Sequence, residues 1–430
     1  MLLEISLLSL AFAISLFAFV LWKRPFKKHK KTDRKENKRK QKELPKKKRV
    51  LTIQPEDVSQ KLIVDFAIEQ GGNNIYTRHQ QKTAAELDKF DRSTPLTKKI
   101  FEFKGNYGRH CYGCGQPTKY LHPVYIFSCR KCGTIFQQKR YLSRDLKGHV
   151  SLVIGCRTKL GHQVSLKLLR AGSIVIGTTR YPERATNLFS EYEDFEKWNN
   201  NFDVYSNGLD LDTTDLESKC KALSEYILNK YKKLDNLIIC AAQTIRVREK
   251  DKEAVLAQTN EFNRYGDAKF VEEKYVNSWQ MNVSDITQQE TEECMRINAI
   301  GPVFLVKNLI EVMKNSDHTP YIISVHAREG LFEPEKGPKH IHTNMAKAAL
   351  HMMTRTLIED KTLATHAGKR FSIHGCDPGW ISVDEYYEKD RPFNIPPLDE
   401  IDGAARILYP LFKNLPSSRQ TRRQFNEFVY

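Results

Sequence analysis

The segment Ser151-Leu-Val-Ile-Gly-Cys-Arg-Thr-Lys-Leu-Gly161 sets an apolar run directly before a glycine-containing loop and an amphipathic stretch, Gln163–Arg170. This order restricts the fold: a buried strand ends in a tight turn and the chain re-emerges as a helix. At such a turn the backbone N–H groups and the helix N-terminus converge, and together they can hold a diphosphate. A Gly-x5-Gly spacing is common, so a strand-turn-helix without a ligand fits these residues equally well when they are read alone.

The chain beyond it repeats the unit. Strands are predicted at Val150–Ile154, Ser173–Gly177, Asp203–Leu211, Leu237–Ala242, Tyr321–Val325 and Phe371–Gly375. Helices are predicted at Gln163–Arg170, Glu183–Trp198, Leu216–Tyr231, Glu292–Val312 and Thr343–Leu363, with a last one opening near Pro396. Apolar strands alternating with helices imply a parallel sheet covered on both faces, so residues 149–430 are expected to form one α/β, doubly wound domain. A polar insertion at 243–290 interrupts it on the rim where loops carry function; it reads as a lid, a partner-docking loop or a surface insertion.

The 430 residues carry a formal charge of +17, but 16 Lys/Arg and three acidic residues fall between Lys23 and Arg49, so +13 of it sits in that stretch. Residues 23–49 have almost no large apolar side chain and read as a disordered basic linker. Before them, Leu2–Trp22 is almost wholly apolar and long enough to cross a bilayer. With the positive residues on its C-terminal flank, this reads as a retained anchor at 1–22, with the rest of the chain cytosolic. The expected location is a single-pass protein of the endoplasmic reticulum, with the mitochondrial outer membrane as the alternative. A basic tail beside an anchor favours contact with membrane headgroups and argues against nucleic acid as the partner.

Cys111-Tyr-Gly-Cys114 and Cys129-Arg-Lys-Cys132 are two Cys-x2-Cys pairs with 14 residues between them. Two such knuckles bring four thiolates to a tetrahedron, so Cys111, Cys114, Cys129 and Cys132 are candidate zinc ligands in a small ribbon-like module at 109–135, within an N-terminal region at 50–148. A closed four-thiolate shell would be structural; two disulfides are the alternative. The other five cysteines are scattered singly, which fits a reducing compartment.

Residues 149–415 resemble the short-chain dehydrogenase/reductase family. Gly155-Cys-Arg-Thr-Lys-Leu-Gly161 falls where the family has its cofactor loop, with Lys159 at the usual middle glycine. Leu209-Asp210-Leu-Asp212 is similar to the acidic string beside the adenine, and Ile239-Cys-Ala241-Ala242 sits where Asn-Asn-Ala-Gly is usual. Asn298-Ala-Ile-Gly301, Lys347 of Thr343-Asn-Met-Ala-Lys347, and Asp377-Pro378-Gly379-Trp380-Ile381 match the helix asparagine, the active-site lysine and the segment beside the nicotinamide. His342-Thr-Asn-Met-Ala-Lys347 resembles a divergent branch that carries this string in place of Tyr-x3-Lys. The resemblance implies a Rossmann-type fold, a nicotinamide cofactor, a small-molecule carbonyl or alcohol substrate and, as in many members, a homodimer.

The second predicted strand ends at Thr178-Thr-Arg180 without a carboxylate for the ribose hydroxyls, while Arg157, Lys159 and Arg180 would surround a 2′-phosphate. NADP is therefore expected over NAD. The resemblance gives Asn298 the relay water and Lys347 the ribose, but Thr343 stands at the phenol and Ala327 at the serine. Losing a positioned acid removes roughly 10²–10⁴-fold in rate. His326 or His342 would have to supply the proton. If neither does, the domain is a dinucleotide sensor or scaffold that binds a protein partner through the cysteine module.

Overall fold

In the computed structural model the described residues are 111–117, 125, 128–243, 278–279, 281–332, 336–381 and 397–417, with a two-residue ladder pairing Tyr76–Thr77 and Gln80–Gln81. All lie in the unit Ile53–Tyr430. The expected anchor at 1–22 and the basic linker at 23–49 fall outside them, as do most of the insertion and most of the stretch between the two cysteine pairs. Among the described residues no helix is long and apolar enough to cross a membrane.

Six strands form one sheet: β1 (Val150–Ile154), β2 (Ile174–Thr178), β3 (Phe202–Val204), β4 (Asn236–Ile239), β5 (Tyr321–Val325) and β6 (Ser372–Cys376). Their order is β3-β2-β1-β4-β5-β6, every neighbouring pair parallel. Reversal of direction at β1 puts a crevice between the C-terminal ends of β1 and β4, where open α/β sheets take their ligands.

The helices are α1 (Arg130–Arg140), α2 (Lys159–Arg170), α3 (Pro182–Ser190), α4 (Leu216–Tyr231), α5 (Gln288–Met295), α6 (Gly301–Lys314), α7 (Ile341–Glu359) and α8 (Glu400–Phe412). Side chains alternate across each strand, so Val150, Leu152 and Ile154 meet Leu223 of α4 and Leu309 of α6 on one face. Val153, Val175, Ile238 and Ile323 meet Val164 of α2 and Ile407 of α8 on the other. Strands buried on both faces are why the sequence shows continuous apolar runs instead of alternation.

Several boundaries differ from the sequence reading. The helix expected over 183–198 ends at Ser190 and gives way to two short turns. There Phe189 and Phe195 pack edge-on against Trp198, Phe189 and Phe202 tilt against each other, and Asp194 pairs with Arg170 at 2.7 Å, contacts that no helical pattern announces. The strand expected over 203–211 is confined to β3. Beyond it the chain becomes a loop in which Leu209 donates its N–H to Thr179 O. Residues 130–135, expected in the ribbon, begin α1, with the Cys129 side chain as its N-cap.

The sheet's other end holds His149, Asp235 and His318. The two rings stack at 3.9 Å, and His149 Nδ1 is buried with no hydrogen-bond partner. Burial, then His318, pushes His149 down to about 4 from 6.5. The unfolded chain therefore binds more protons between these values, and stability falls as pH drops. A loss of up to about 3 kcal/mol between pH 6.5 and 4 is expected, and His149→Gln should flatten that slope in denaturant titrations.

Candidate active site

The turn after β1 is pinned to the neighbouring strand, since Thr178 O accepts the N–H of both Gly155 and Cys156, at 3.0 and 2.9 Å. Gly155 has φ +86, and a Cβ there would lie 3.0 Å from the Ala241 backbone at the end of β4. A Cβ on Gly161 would fall 2.0 Å from Gly155 O. Two glycines are thus required for the turn to close on itself, and the space so kept lies at the N-terminus of α2. Thr158, its N-cap, makes no side-chain capping bond, and a helix N-terminus is where backbone N–H groups take up an anion. Lys159, at the usual middle glycine, takes a left-handed φ of 54, so the backbone path survives the substitution.

Beside this turn, at the end of β2, three guanidinium groups gather on one ring: Arg157, Arg180 and Arg184 lie 5.1, 5.6 and 5.1 Å from the Tyr181 centroid. Arg157 is buried and Arg180 exposed. Sequence reading named Arg157 and Arg180 but passed over Arg184 and Tyr181. A helix periodicity starting at Pro182 would have put Arg184 in its first turn. Asp210 stays at the rim, its carboxylate capping the Asp212 N–H at 3.0 Å.

Three of the residues expected at the chemical step, Asn298, Thr343 and Lys347, come together, each already making a polar contact. Asn298 sits in a π-turn, Arg296–Ile300, between α5 and α6. Its amide donates to Gln243 O at 2.7 Å and to Cys294 O at 2.9 Å, and its oxygen accepts the Gln243 N–H at 3.3 Å. Lys347, buried and lowered in pKa by that burial, donates to Val325 O at 3.1 Å. Thr343 is buried, with its hydroxyl 3.5 Å from His342 Nε2 and 3.9 Å from Cys294 Sγ. Burial pushes the Cys294 thiol up. This cysteine, four residues before Asn298 on the same helical face, was not selected from sequence.

His326 follows Val325 and is near enough to Lys347 for that charge to lower its pKa, but its Nε2 is engaged elsewhere. Its Nε2 is 2.9 Å from Thr354 Oγ1, its ring packs on His351 at 4.1 Å, and burial holds its pKa well below the ordinary histidine value. On the rim, Trp279 from the far end of the insertion stacks on His340 at 4.0 Å, just before α7. Gly379 of the segment after β6 has φ +85, and its N–H goes to Asp377 Oδ1 at 2.8 Å, with Pro378 between them.

The four cysteines of the N-terminal module also converge, with Sγ atoms all within 4.8 Å of one another. Four thiolates on one zinc ion stand about 3.8 Å apart, so the set fits a metal with small adjustments. No disulfide joins any of the nine cysteines. Burial raises Cys111, but N–H groups of Cys129, Cys114 and Gly113 aimed at its sulfur bring it to about 7, the environment of a thiolate ligand.

A 3-2-1-4-5-6 parallel sheet with a glycine turn at its switch point, an asparagine in a helix break and a buried lysine on the next long helix define a protein of short-chain dehydrogenase fold. The short-chain dehydrogenase from Shigella flexneri has this architecture: TM-score 0.50 at 16% identity, over 66% of this chain and 94% of that one. Another from Shigella flexneri 2a str. 301, complexed with NADP, gives 0.47 at 17% identity over 65% and 97%. No family model matches. The Uncharacterized protein R665 of Acanthamoeba polyphaga mimivirus is 36% identical over 352 residues, which is 74% of each chain, and this chain belongs to the same family as that viral protein.

Proposed function

We propose that the chain is an NADP(H)-dependent oxidoreductase of the short-chain dehydrogenase type acting on a carbonyl or alcohol. The observation that carries the reading is the Gly155–Gly161 turn, whose interior a single Cβ would fill. Gly155, Gly161 and the α2 N-terminus would hold the diphosphate, Arg157, Arg180 and Arg184 the 2′-phosphate, and Lys159, Ala241, Pro378 and Gly379 would line the remaining path. A bound nicotinamide supplies or accepts the hydride. The chain's own part is to orient the substrate oxygen near Thr343 and move a proton to it, and His342 and Cys294 are the titratable groups in reach of that hydroxyl.

A second reading has its own observation. Asn298 and Lys347 are both tied to backbone carbonyls, so the domain could bind dinucleotide as a sensor without turning over substrate. Calorimetric titration of the full chain with NADPH and NADH, followed by a screen of carbonyl substrates, tests both. NADPH binding with no turnover would leave the sensor; no binding of either nucleotide at millimolar concentration would reject both. In either case the reading includes a membrane anchor at Leu2–Trp22 and a zinc ion on the four cysteines, which rest on the sequence and on the sulfur geometry respectively.

Arg180→Ala and Arg184→Ala should each weaken NADPH about 10- to 100-fold, the scale of a lost charge-assisted contact, and leave NADH nearly unchanged. Equal losses for both nucleotides would place the 2′-phosphate elsewhere.

A further inference from the structure

The cysteine module is built into the wall of the dinucleotide site. Tyr112 stands inside the first knuckle, between Cys111 and Cys114. Its hydroxyl oxygen accepts the Trp380 N–H at 2.8 Å, in the segment that follows β6. The approach is close: a Cβ on Gly379 would lie 2.7 Å from that same oxygen and 3.0 Å from Leu398. Behind the turn, Cys111, Tyr125, Cys132 and Phe136 share one buried cluster with Ile381, Leu398 and Ala405. The turn Asp377–Ile381 is therefore gripped at Trp380 by the first knuckle and at Ile381 by the cluster that contains two of the four thiols.

The two knuckles are anchored differently. The second continues into α1, whose Arg140 and Lys139 reach Asp399 at 2.7 Å and Tyr409 at 2.6 Å, so it stays on α8 whatever the sulfurs hold. The first knuckle, which carries Tyr112, meets the second through its sulfurs, through the Cys129 N–H donated to Cys111 Sγ at 3.1 Å, and through Gly113, where a Cβ would lie 2.7 Å from Cys132 Cβ and 3.0 Å from the Phe136 ring. An ion bound by all four sulfurs would lock the first knuckle to the second.

We infer that a zinc ion on Cys111, Cys114, Cys129 and Cys132 positions the Asp377–Ile381 turn through Tyr112, so that metal occupancy and dinucleotide binding are thermodynamically linked. The inference rests on the proposed dinucleotide site and names its regulation. Linkage is reciprocal: the factor by which zinc tightens NADPH is the factor by which NADPH tightens zinc. Tyr112 is a positioning residue, acting on the turn and not on the substrate.

The test uses the full chain loaded with one zinc per molecule, beside the same protein stripped by a chelator, with circular dichroism to confirm that both are folded. Stripping should weaken NADPH binding by about 5- to 150-fold, the usual span of such couplings, and NADPH should slow zinc transfer to a competing dye. Tyr112→Phe keeps all four thiols. It should retain the zinc, weaken NADPH by a smaller factor, and shift the emission of Trp380, isolated by subtraction of a Trp380→Phe variant. Equal NADPH affinity in the loaded, stripped and Tyr112→Phe proteins would overturn the inference, as would failure of the four cysteines to bind one zinc. If stripping unfolds the chain, Tyr112→Phe decides alone. If the loaded protein binds no dinucleotide, the functional reading fails, and a Trp380 emission that also ignores metal and Tyr112→Phe rejects the positioning role independently.

Discussion

Arg140→Ala should lower the unfolding free energy by about 3–5 kcal/mol, the scale of a buried ion pair broken on one side. Arg140 is fully buried, and its guanidinium makes a two-pronged contact with Asp399 at 2.7 and 2.9 Å and lies 3.1 Å from Asp402. Tyr125 donates a further bond to Asp402 at 2.7 Å. The arrangement concentrates two carboxylates at the start of α8, where Asp399 also caps the helix by accepting the N–H groups of Ile401 and Asp402. Burial pushes Asp399 up to about 7 against the pull of Arg140, so removing the cation leaves a carboxyl that must take a proton or stay charged without its partner. Both routes cost stability: the charged route by a fixed amount, and the protonated route by an amount that grows with pH. Denaturant titration at pH 6 and pH 8 would read it: the variant should lose more at pH 8. The double variant Arg140→Ala/Asp399→Asn keeps a cap and removes one charge, so it should recover part of the loss. A loss below about 1 kcal/mol in Arg140→Ala would mean that water replaces the guanidinium freely, and that the cysteine module is not welded to α8.

Gly161→Ala should abolish dinucleotide binding, with a drop of at least about 100-fold, while costing about 1–3 kcal/mol of stability as an overpacked site. The added carbon would stand 2.0 Å from Gly155 O and 3.3 Å from the Cys240 side chain. Relief requires moving the turn outward, into the space from which the α2 N–H groups would contact a diphosphate. Affinity should therefore fall far more than stability, and the ratio separates a binding cradle from a merely crowded turn. Retained NADPH binding in a folded Gly161→Ala protein would remove the main support for the functional reading. His342→Gln and Cys294→Ala belong to a later stage: whichever moves proton is expected to change the rate and leave NADPH affinity alone.

Much of the α/β layout was legible because both the strands and the glycine turn are local statements. β1, β5 and α4 fall on the residues expected, since apolar runs of five residues and a 3.6-residue period survive any tertiary context. The four-cysteine set was equally legible, because Cys-x2-Cys needs only a tight turn to converge. The end of helix α3 was not, because two short turns packed around Trp198 replace the helix after Ser190. The chemical residues show the boundary most clearly. The family resemblance named Asn298, Thr343 and Lys347, and the structure brings them together, but only tertiary contacts reveal that Lys347 directs an N–H to Val325 O and that His326 faces Thr354.

By itself, then, the sequence determined the strand-helix order, the glycines that the turn cannot replace, and the metal-type thiols, all of which depend on neighbours within a few residues. The tertiary structure decided which separate pieces act as one. Arg157, Arg180 and Arg184 come together only around the Tyr181 ring, and the cysteine module meets the turn after β6 only because Tyr112 reaches Trp380 across 268 positions of chain. The reason is physical: hydrogen bonds and ring contacts act over a few ångströms in space, and the packing of the elements sets those distances, while residue spacing along the chain does not.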